Sequence, residues 1–371
     1  MGLSAHQHVL NLVAYEPGKP VEELAREMGL DPGDIIKLAS NENPLGPSPL
    51  ALSAMVDALG RSHFYPDGGG WALRNAIADK LEVDRENVIL GNGSNEIIEF
   101  LGHAFLSPGT EVVTAKHAFA VYTLMAQLFG ATTIRVDDPG FQHDLPAMLA
   151  AITPQTRQVF IANPNNPTGT LVGQAEIDAY MDRVPDHVIT VFDEAYYEFL
   201  DTPPDVLKFV RAGRNVVVMR TFSKIQGLAA LRIGYGVAPA HLASTLQRTR
   251  QPFNANAIAQ AGALAGMADT SHMDQTRALT TEGRNYFHSA FAAMDLEFVP
   301  SHANFVLVRV GDGDAVFKSL LKMGIIVRAM RSYGLPEWIR VSVGTMPQNR
   351  RFIEALPAVL AATPATSILS V

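Results

Sequence analysis

Thr221-Phe-Ser223-Lys224-Ile-Gln-Gly227-Leu-Ala-Ala-Leu-Arg232-Ile-Gly234-Tyr-Gly236 is the stretch that decides the fold. The β-branched run Val216-Val217-Val218 leads into it and reads as a buried strand. That strand ends at two small hydroxyl residues, Thr221 and Ser223, beside Lys224. A lysine at the carboxyl end of a buried strand stands where α/β folds gather their ligands. Burial lowers the pKa of a lysine, and the neutral amine then forms Schiff bases with carbonyl compounds. The two hydroxyls and Arg232 suit a phosphate held beside that amine. The plainer alternative is an exposed loop lysine after a core strand, and the other strand ends decide between the two.

Upstream of this stretch the pattern is regular. Strands are expected at 88–90, 111–114, 132–136, 158–162, 188–192 and 215–220, with helices between them at about 94–105, 119–129, 144–152, 174–183 and 204–211. Such alternation with Val/Ile-rich strands predicts an α/β fold with a mostly parallel sheet between two layers of helices. Before it come a short helix at 21–28, a Pro/Asn/Gly loop at 38–49, and helices at 49–59 and 71–81. After about residue 239 three helices rich in Ala, Leu and Met are followed by strands at 304–310, 325–327 and 338–343, a helix at 313–323 and a last helix from 347. This second pattern predicts a smaller α+β domain. The expected division is an arm at 1–35 packed with the small domain, a large domain at 36–250 and a small domain at 251–371.

Bulk properties narrow the chemistry. The 371 residues carry a net charge of −8, which argues against nucleic-acid or anionic-membrane partners held by bulk attraction. There is no cysteine, which excludes disulfides, thiolate metal sites and cysteine nucleophiles. The 11 histidines are scattered without metal-like spacing, so no metal is expected. No apolar run approaches the ~20 residues of a membrane helix, and 1–15 lacks the pattern of a signal peptide. A cytoplasmic protein is the expectation.

Four other strand ends carry polar or aromatic residues suited to one ligand. Gly91-Asn-Gly93-Ser94-Asn95-Glu96 lies between a strand and a helix, where backbone N–H groups and the Ser94 hydroxyl make an anion cradle. Phe119 follows the strand at 111–114 and offers a flat apolar face. Asn166 lies in a proline-stiffened turn after the strand at 158–162, and its side chain can donate to a ring oxygen. Asp193 ends the apolar run 188–192, so it is poorly solvated and requires a charged partner. A protonated pyridine nitrogen is such a partner, and Tyr196, three residues on, can reach the phenolate oxygen of the same ring.

With these residues in view, Thr221 to Gly236 resembles the cofactor-lysine segment of fold-type-I pyridoxal-phosphate (PLP) enzymes, S/T-x-S-K-x-x-G-(x)4-R-x-G. The chain as a whole resembles the class I/II aminotransferases, nearest to their histidinol-phosphate branch. The likeness is carried by Asn41-Glu-Asn43-Pro-Leu-Gly46-Pro-Ser-Pro49, Phe64-Tyr65-Pro66-Asp67, Gly91 to Glu96, Asn166-Pro-Thr-Gly169, Asp193-Glu-Ala-Tyr196, Thr221 to Gly236 and Ile339-Arg340-Val-Ser-Val-Gly344. The resemblance implies PLP on Lys224, Asp193 at the pyridinium, and Asn166 and Tyr196 at the phenolate oxygen. It implies Ser94, Asn95, Thr221, Ser223 and Arg232 at the phosphate, and a seven-stranded sheet in the large domain. It implies a homodimer with shared active sites, in which Tyr65 reaches the partner's phosphate. Arg340 would take a substrate anion, assisted by Arg328, Tyr15 and Asn43. Two departures from the family pattern are Phe119, where many members carry tyrosine, and Thr221, where serine is commoner.

Transamination between an amino substrate and a 2-oxo acid is the reaction so implied, with the freed Lys224 amine moving the α-proton. Histidinol phosphate paired with glutamate or 2-oxoglutarate is the first expectation. An aromatic amino-acid aminotransferase, a PLP decarboxylase of the same fold and a non-catalytic PLP-fold protein remain as alternatives. Intact Lys224, Asp193, Tyr196 and both arginines weigh against the last.

Overall fold

The computed structural model describes residues 5–13 and 18–363. In chain order its strands are β1 (Ile36–Lys37), β2 (Val88–Gly91), β3 (Glu111–Ala115), β4 (Thr132–Val136), β5 (Thr156–Ala162), β6 (Ile189–Asp193), β7 (Val216–Thr221), β8 (Gly234–Val237), β9 (Phe298–Val299), β10 (Phe305–Arg309), β11 (Ile325–Ile326), β12 (Arg328–Ala329) and β13 (Trp338–Ser342). Seven of them form one sheet in the order β2-β8-β7-β6-β5-β3-β4. The neighbours from β7 to β4 are parallel, and β8 runs antiparallel to both β7 and β2. The mostly parallel seven-stranded sheet is therefore as the sequence implied.

Strand β7 shows why this sequence forms this layer. Val216 and Val218 face one side, into a core with Leu73, Ile77, Ile177 and Ala259 from the helices Trp71–Leu81, Gln174–Met181 and Ala257–Ala268. Val217 and Met219 face the other side, with Ile97, Tyr122 and Leu242 from the helices Ser94–Phe105, Val121–Leu128 and Ala240–Gln247. A strand covered on both faces needs an unbroken apolar run rather than alternation. The parallel strands deliver their carboxyl ends to one edge of the sheet.

The second unit is built on the antiparallel sheet β12-β13-β10-β9. Phe287 and Phe291 from helix Thr270–Ala293, Leu320 from helix Gly313–Leu321, and Phe352 and Leu356 from helix Met346–Ala362 cover it. That last helix passes through Pro357. Pro357 is exposed, so water can reach the carbonyl that a proline leaves without a donor. The two-residue strands β1, β9 and β12 were not expected, being too short to show a period.

We place the division between the units inside helix Thr270–Ala293, later than the expected residue 250. Ala255, Ala259 and Ala263 are packed in the core of the large sheet, and Gly262 lies close against Met55 of helix Pro49–Leu59. Phe287 and Phe291 belong to the core of the small sheet. The N-terminal arm is also divided. Leu24, Ala25 and Ile35 pack on Leu321 and Ile326 of the small unit, and β1 pairs with β11. Residues farther toward the N-terminus instead meet the large unit, where the Gln127 side chain donates to the Asn11 carbonyl.

The loop 38–49 is tied to the lysine segment by backbone contact. Gly227 has φ +69, and a Cβ there would lie 2.4 Å from the Gly46 carbonyl oxygen and 2.8 Å from the Pro47 nitrogen. Both the left-handed backbone and the close approach require glycine. Gly227→Ala is expected to destabilise the fold by about 1–3 kcal/mol, measured by urea unfolding, and to disturb the lysine turn that ends at this residue.

Candidate active site

A cavity of about 270 Å³ opens at the carboxyl edge of the large sheet, bounded on the far side by β12 and β13 of the small unit. Each parallel strand that ends there contributes. Ser94 and Asn95 follow β2, Phe119 follows β3 and Asn166 follows β5. Asp193 ends β6, with Tyr196 just beyond, and Thr221, Ser223 and Lys224 follow β7. Arg232 enters from the turn before β8. The strand pairing fixes the spacing, since Asp193 stands beside Ala162 of β5 and Met219 of β7.

Lys224 donates from Nζ to the Ser40 carbonyl at 3.3 Å and lies 5.6 Å from the centre of the Tyr196 ring. Burial, reinforced by the Arg340 charge, pushes its pKa down to about 8. Near neutral pH the amine therefore gives up its proton far more readily than a surface lysine.

Asp193 is buried, and burial raises its pKa. Two donors oppose that effect. The Tyr122 hydroxyl donates to Oδ2 at 2.6 Å and the Ala195 N–H donates to Oδ1 at 3.1 Å. Tyr196 is buried too, with its pKa pushed up to about 12 by desolvation, so its hydroxyl keeps its proton. Asn41 donates from Nδ2 to Tyr196 Oη at 2.9 Å, and Ser342 Oγ donates to Asn41 Oδ1 at 2.8 Å. Because Tyr196 Oη accepts from Asn41, its own proton is left to donate into the cleft. Asn41 holds φ at +53 and Arg232 at +55, and left-handed backbone of this kind in non-glycine residues concentrates at functional sites.

A recess lies between β2, β7 and β8. Ser94 begins helix Ser94–Phe105, so its N–H has no partner within the helix. A Cβ on Gly234 would lie 2.5 Å from that nitrogen, and a Cβ on Gly93 would lie 2.5 Å from Arg232 Nη2. Glycine at both places leaves the helix N-terminus and the guanidinium open to the recess. Thr221 Oγ1 donates to Ser223 Oγ at 3.0 Å, and Arg232 Nη1 approaches Ser223 Oγ at 3.5 Å. Backbone N–H, hydroxyls and one guanidinium together form a donor set for a phosphate.

On the opposite wall Arg328 and Arg340 stand directly across from each other on β12 and β13, and both line the cleft. Two guanidinium groups in cross-strand register repel unless anions lie close. Arg340 donates from Nη1 to Asn166 Oδ1 and from Nη2 to the Ala39 carbonyl. With Oδ1 engaged, the amide nitrogen of Asn166 is the group left to face a ligand.

The structure thus brings twelve expected residues to one cavity: Ser94, Asn95, Phe119, Asn166, Asp193, Tyr196, Thr221, Ser223, Lys224, Arg232, Arg328 and Arg340. Of the other three expected residues, Tyr65 and Asn43 are not part of it. Tyr15 lies outside the described residues. Tyr65 is 81% exposed and stacks on Phe253 at 4.7 Å, on the outer surface. Asn43, expected at the substrate, does not line this cavity. Its amide nitrogen donates to the Ile225 carbonyl and to Thr276 Oγ1, and its Oδ1 accepts from Leu45 N–H, so it serves as a loop tie. Asn41, two residues earlier, faces the cavity instead. Tyr122 and Tyr333 also line the cleft and were missed. Tyr122 had a usable signal, since it lies one helical turn after Phe119.

Residues 33–356 match the family described as aminotransferase class I and II. The chain belongs to that family. A histidinol-phosphate aminotransferase of Akkermansia muciniphila is 56% identical over 357 residues, covering 96% of this chain and 98% of its own. One of Moorella thermoacetica is 48% identical over 357 residues, covering 95% and 92%. The crystal structure of histidinol-phosphate aminotransferase from Sinorhizobium meliloti in complex with pyridoxal-5'-phosphate superposes with a TM-score of 0.88 at 27% identity, covering 97% of this aminotransferase and 99% of that chain. The architecture is accordingly that of the fold-type-I PLP enzymes. The glycine-opened recess, the buried carboxylate and the pKa-lowered lysine fit pyridoxal phosphate in this aminotransferase too.

The charge cost of Lys224 has a sign that can be measured. Between pH 8 and 10.5 its amine binds fewer protons folded than unfolded, so its penalty on folding fades as pH rises through that window. Cofactor-free Lys224→Met is expected to be more stable than wild type at pH 7, by about 3 kcal/mol. The gain should shrink above pH 8 and be gone near pH 10.5, read from urea unfolding across the pH series.

Proposed function

We propose that this aminotransferase exchanges the amino group between histidinol phosphate and 2-oxoglutarate, with pyridoxal phosphate held on Lys224. The observation that carries this reading is 56% identity over nearly the whole chain to a protein of that name. Bound pyridoxal phosphate supplies a carbonyl for Schiff-base exchange and a ring that takes up the electron pair released at the substrate's α-carbon.

The chain's own residues do the rest. Lys224 Nζ, held near a pKa of 8, accepts the α-proton and returns it. Asp193 pairs with the ring nitrogen. Tyr196 and Asn166 donate to the ring oxygen, aimed by Asn41 and Arg340 respectively. Ser94, Asn95, Thr221, Ser223 and Arg232 hold the cofactor phosphate, and Phe119 covers one face of the ring. Arg340 and Arg328 take the anionic groups of the two substrates in turn, and a guanidinium fork suits carboxylate and phosphate alike.

The same reading includes a homodimer in the cytoplasm. Leu50, Leu52, Val56, Leu59, Tyr65 and Trp71 are all exposed on helix Pro49–Leu59 and the segment after it. Exposed apolar residues so grouped mark an association surface. We assign it to a second copy, with Tyr65 entering the partner's cofactor site. Among the described residues no helix is long and apolar enough to cross a membrane.

The test is rapid mixing of the PLP-loaded protein with histidinol phosphate, phenylalanine or glutamate, following the visible cofactor band. Fast loss of the band with histidinol phosphate and glutamate is expected, with phenylalanine slower by about tenfold or more, the discrimination due to a lost polar contact. Fast conversion by phenylalanine alone would overturn the substrate assignment. In light scattering, Val56→Asp is expected to shift the dimer toward monomer.

A further inference from the structure

Tyr122 is fully buried, yet its hydroxyl reaches the carboxylate on which the proposed chemistry depends. Its ring is clamped: it stacks on Phe160 of β5 at 4.4 Å and meets Phe119 edge-on at 5.7 Å. The hydroxyl is thereby aimed at Asp193 Oδ2, 2.6 Å away. This is the one side-chain hydrogen bond to Asp193 found among the described residues; the other donor is the Ala195 backbone. One turn at the start of helix Val121–Leu128 therefore sets both the apolar face for the ring, through Phe119, and the orientation of the carboxylate, through Tyr122.

We propose that Tyr122 is a positioning residue that fixes the Asp193 carboxylate and, by donating to it, keeps it a weak enough base that the proton stays on the cofactor's ring nitrogen. The inference rests on the reading that pyridoxal phosphate occupies the cleft with Asp193 at that nitrogen. The physical basis is a competition for one proton. A buried carboxylate stripped of a donor becomes a stronger base. Beside a pyridinium it then draws the proton toward itself, and the ring loses its capacity to take up electrons. A neutral phenol opposes this without adding charge, and desolvation together with the Asp193 charge holds its own pKa well above the usual value. The other titratable groups facing the pair are Lys224 from the lysine turn, Tyr196 from the segment after β6, and Tyr333.

Tyr122→Phe keeps the ring and removes the donor. In the cofactor-free protein, carbon-13 NMR of labelled aspartate carboxyls follows Asp193 directly, its signal identified by its absence in Asp193→Asn. The Asp193 midpoint is expected to rise by about one pH unit in Tyr122→Phe, the size of a hydrogen bond to a charged group. In the loaded enzyme kcat should fall about tenfold with KM changed less than about twofold, and the visible band should titrate at higher pH. Phe160→Leu controls for packing, because it loosens the clamp and keeps the hydroxyl, so any rise in the Asp193 midpoint should be clearly smaller than in Tyr122→Phe. An unchanged Asp193 midpoint in Tyr122→Phe, or an equal rise in Phe160→Leu, would overturn the proposal. Failure of the wild type to take up the cofactor at all would instead overturn the reading beneath it, and the proposal with it.

Discussion

The parallel pairing of β5, β6 and β7 is the constraint from which the cleft follows. Its hydrogen bonds put Ala162, Asp193 and Met219 abreast. A residue or two past that line the chain leaves the sheet, and the side chains there can face a ligand. Asn166, Tyr196 and Lys224 all lie within five residues of the line, so small errors in strand register would scatter them. The apolar runs of these strands hold register because both faces are buried, and a slip by one residue would exchange the two faces.

A buried ion pair supports the same edge. Glu194 follows Asp193, Arg220 precedes Thr221, and their side chains meet at 2.7 Å with both groups buried. The Arg220 guanidinium also lies 3.6 Å from the centre of the Tyr197 ring. Replacing such a pair by apolar groups often costs nothing, whereas breaking it by removing one partner costs several kcal/mol, about 3–5. Its value here is therefore geometric. It ties the end of β6 to the end of β7 from the core side, while Asp193 and Thr221 turn toward the cleft. The small unit closes the site from the other side through Arg340, Ser342 and Asn41, so the orientation of Asn166 and Tyr196 depends on how the two units are packed.

Much of this was legible in the sequence because a parallel sheet writes its ligand site as apolar runs that stop at polar residues. Lys224 after Val216–Val218 and Asp193 after Val188–Phe192 are such stops, and the structure brings both to one cavity. What stayed illegible depends on three-dimensional packing. Asn41 and Asn43 share a loop without a period, so nothing in the sequence says which faces in; Asn43 faces Ile225 and Thr276 instead. The spacing of Tyr122 from Phe119 marks it as facing the cleft, but its bond to Asp193 spans 71 positions of sequence and cannot be read from that spacing. We place the division of the units later than residue 250 because of the Ala-rich helix Ala257–Ala268, which in sequence looks like its neighbours. Only its packing in the core of the large sheet shows where it belongs.

The account stands on Lys224 being the residue that carries the cofactor. Borohydride reduction of the PLP-loaded protein, followed by proteolysis and mass spectrometry, tests this most directly. The account predicts a single pyridoxyl group, on the peptide that contains Lys224. A label on Lys37 or another lysine, or no label on a protein that retains its visible band, would contradict it.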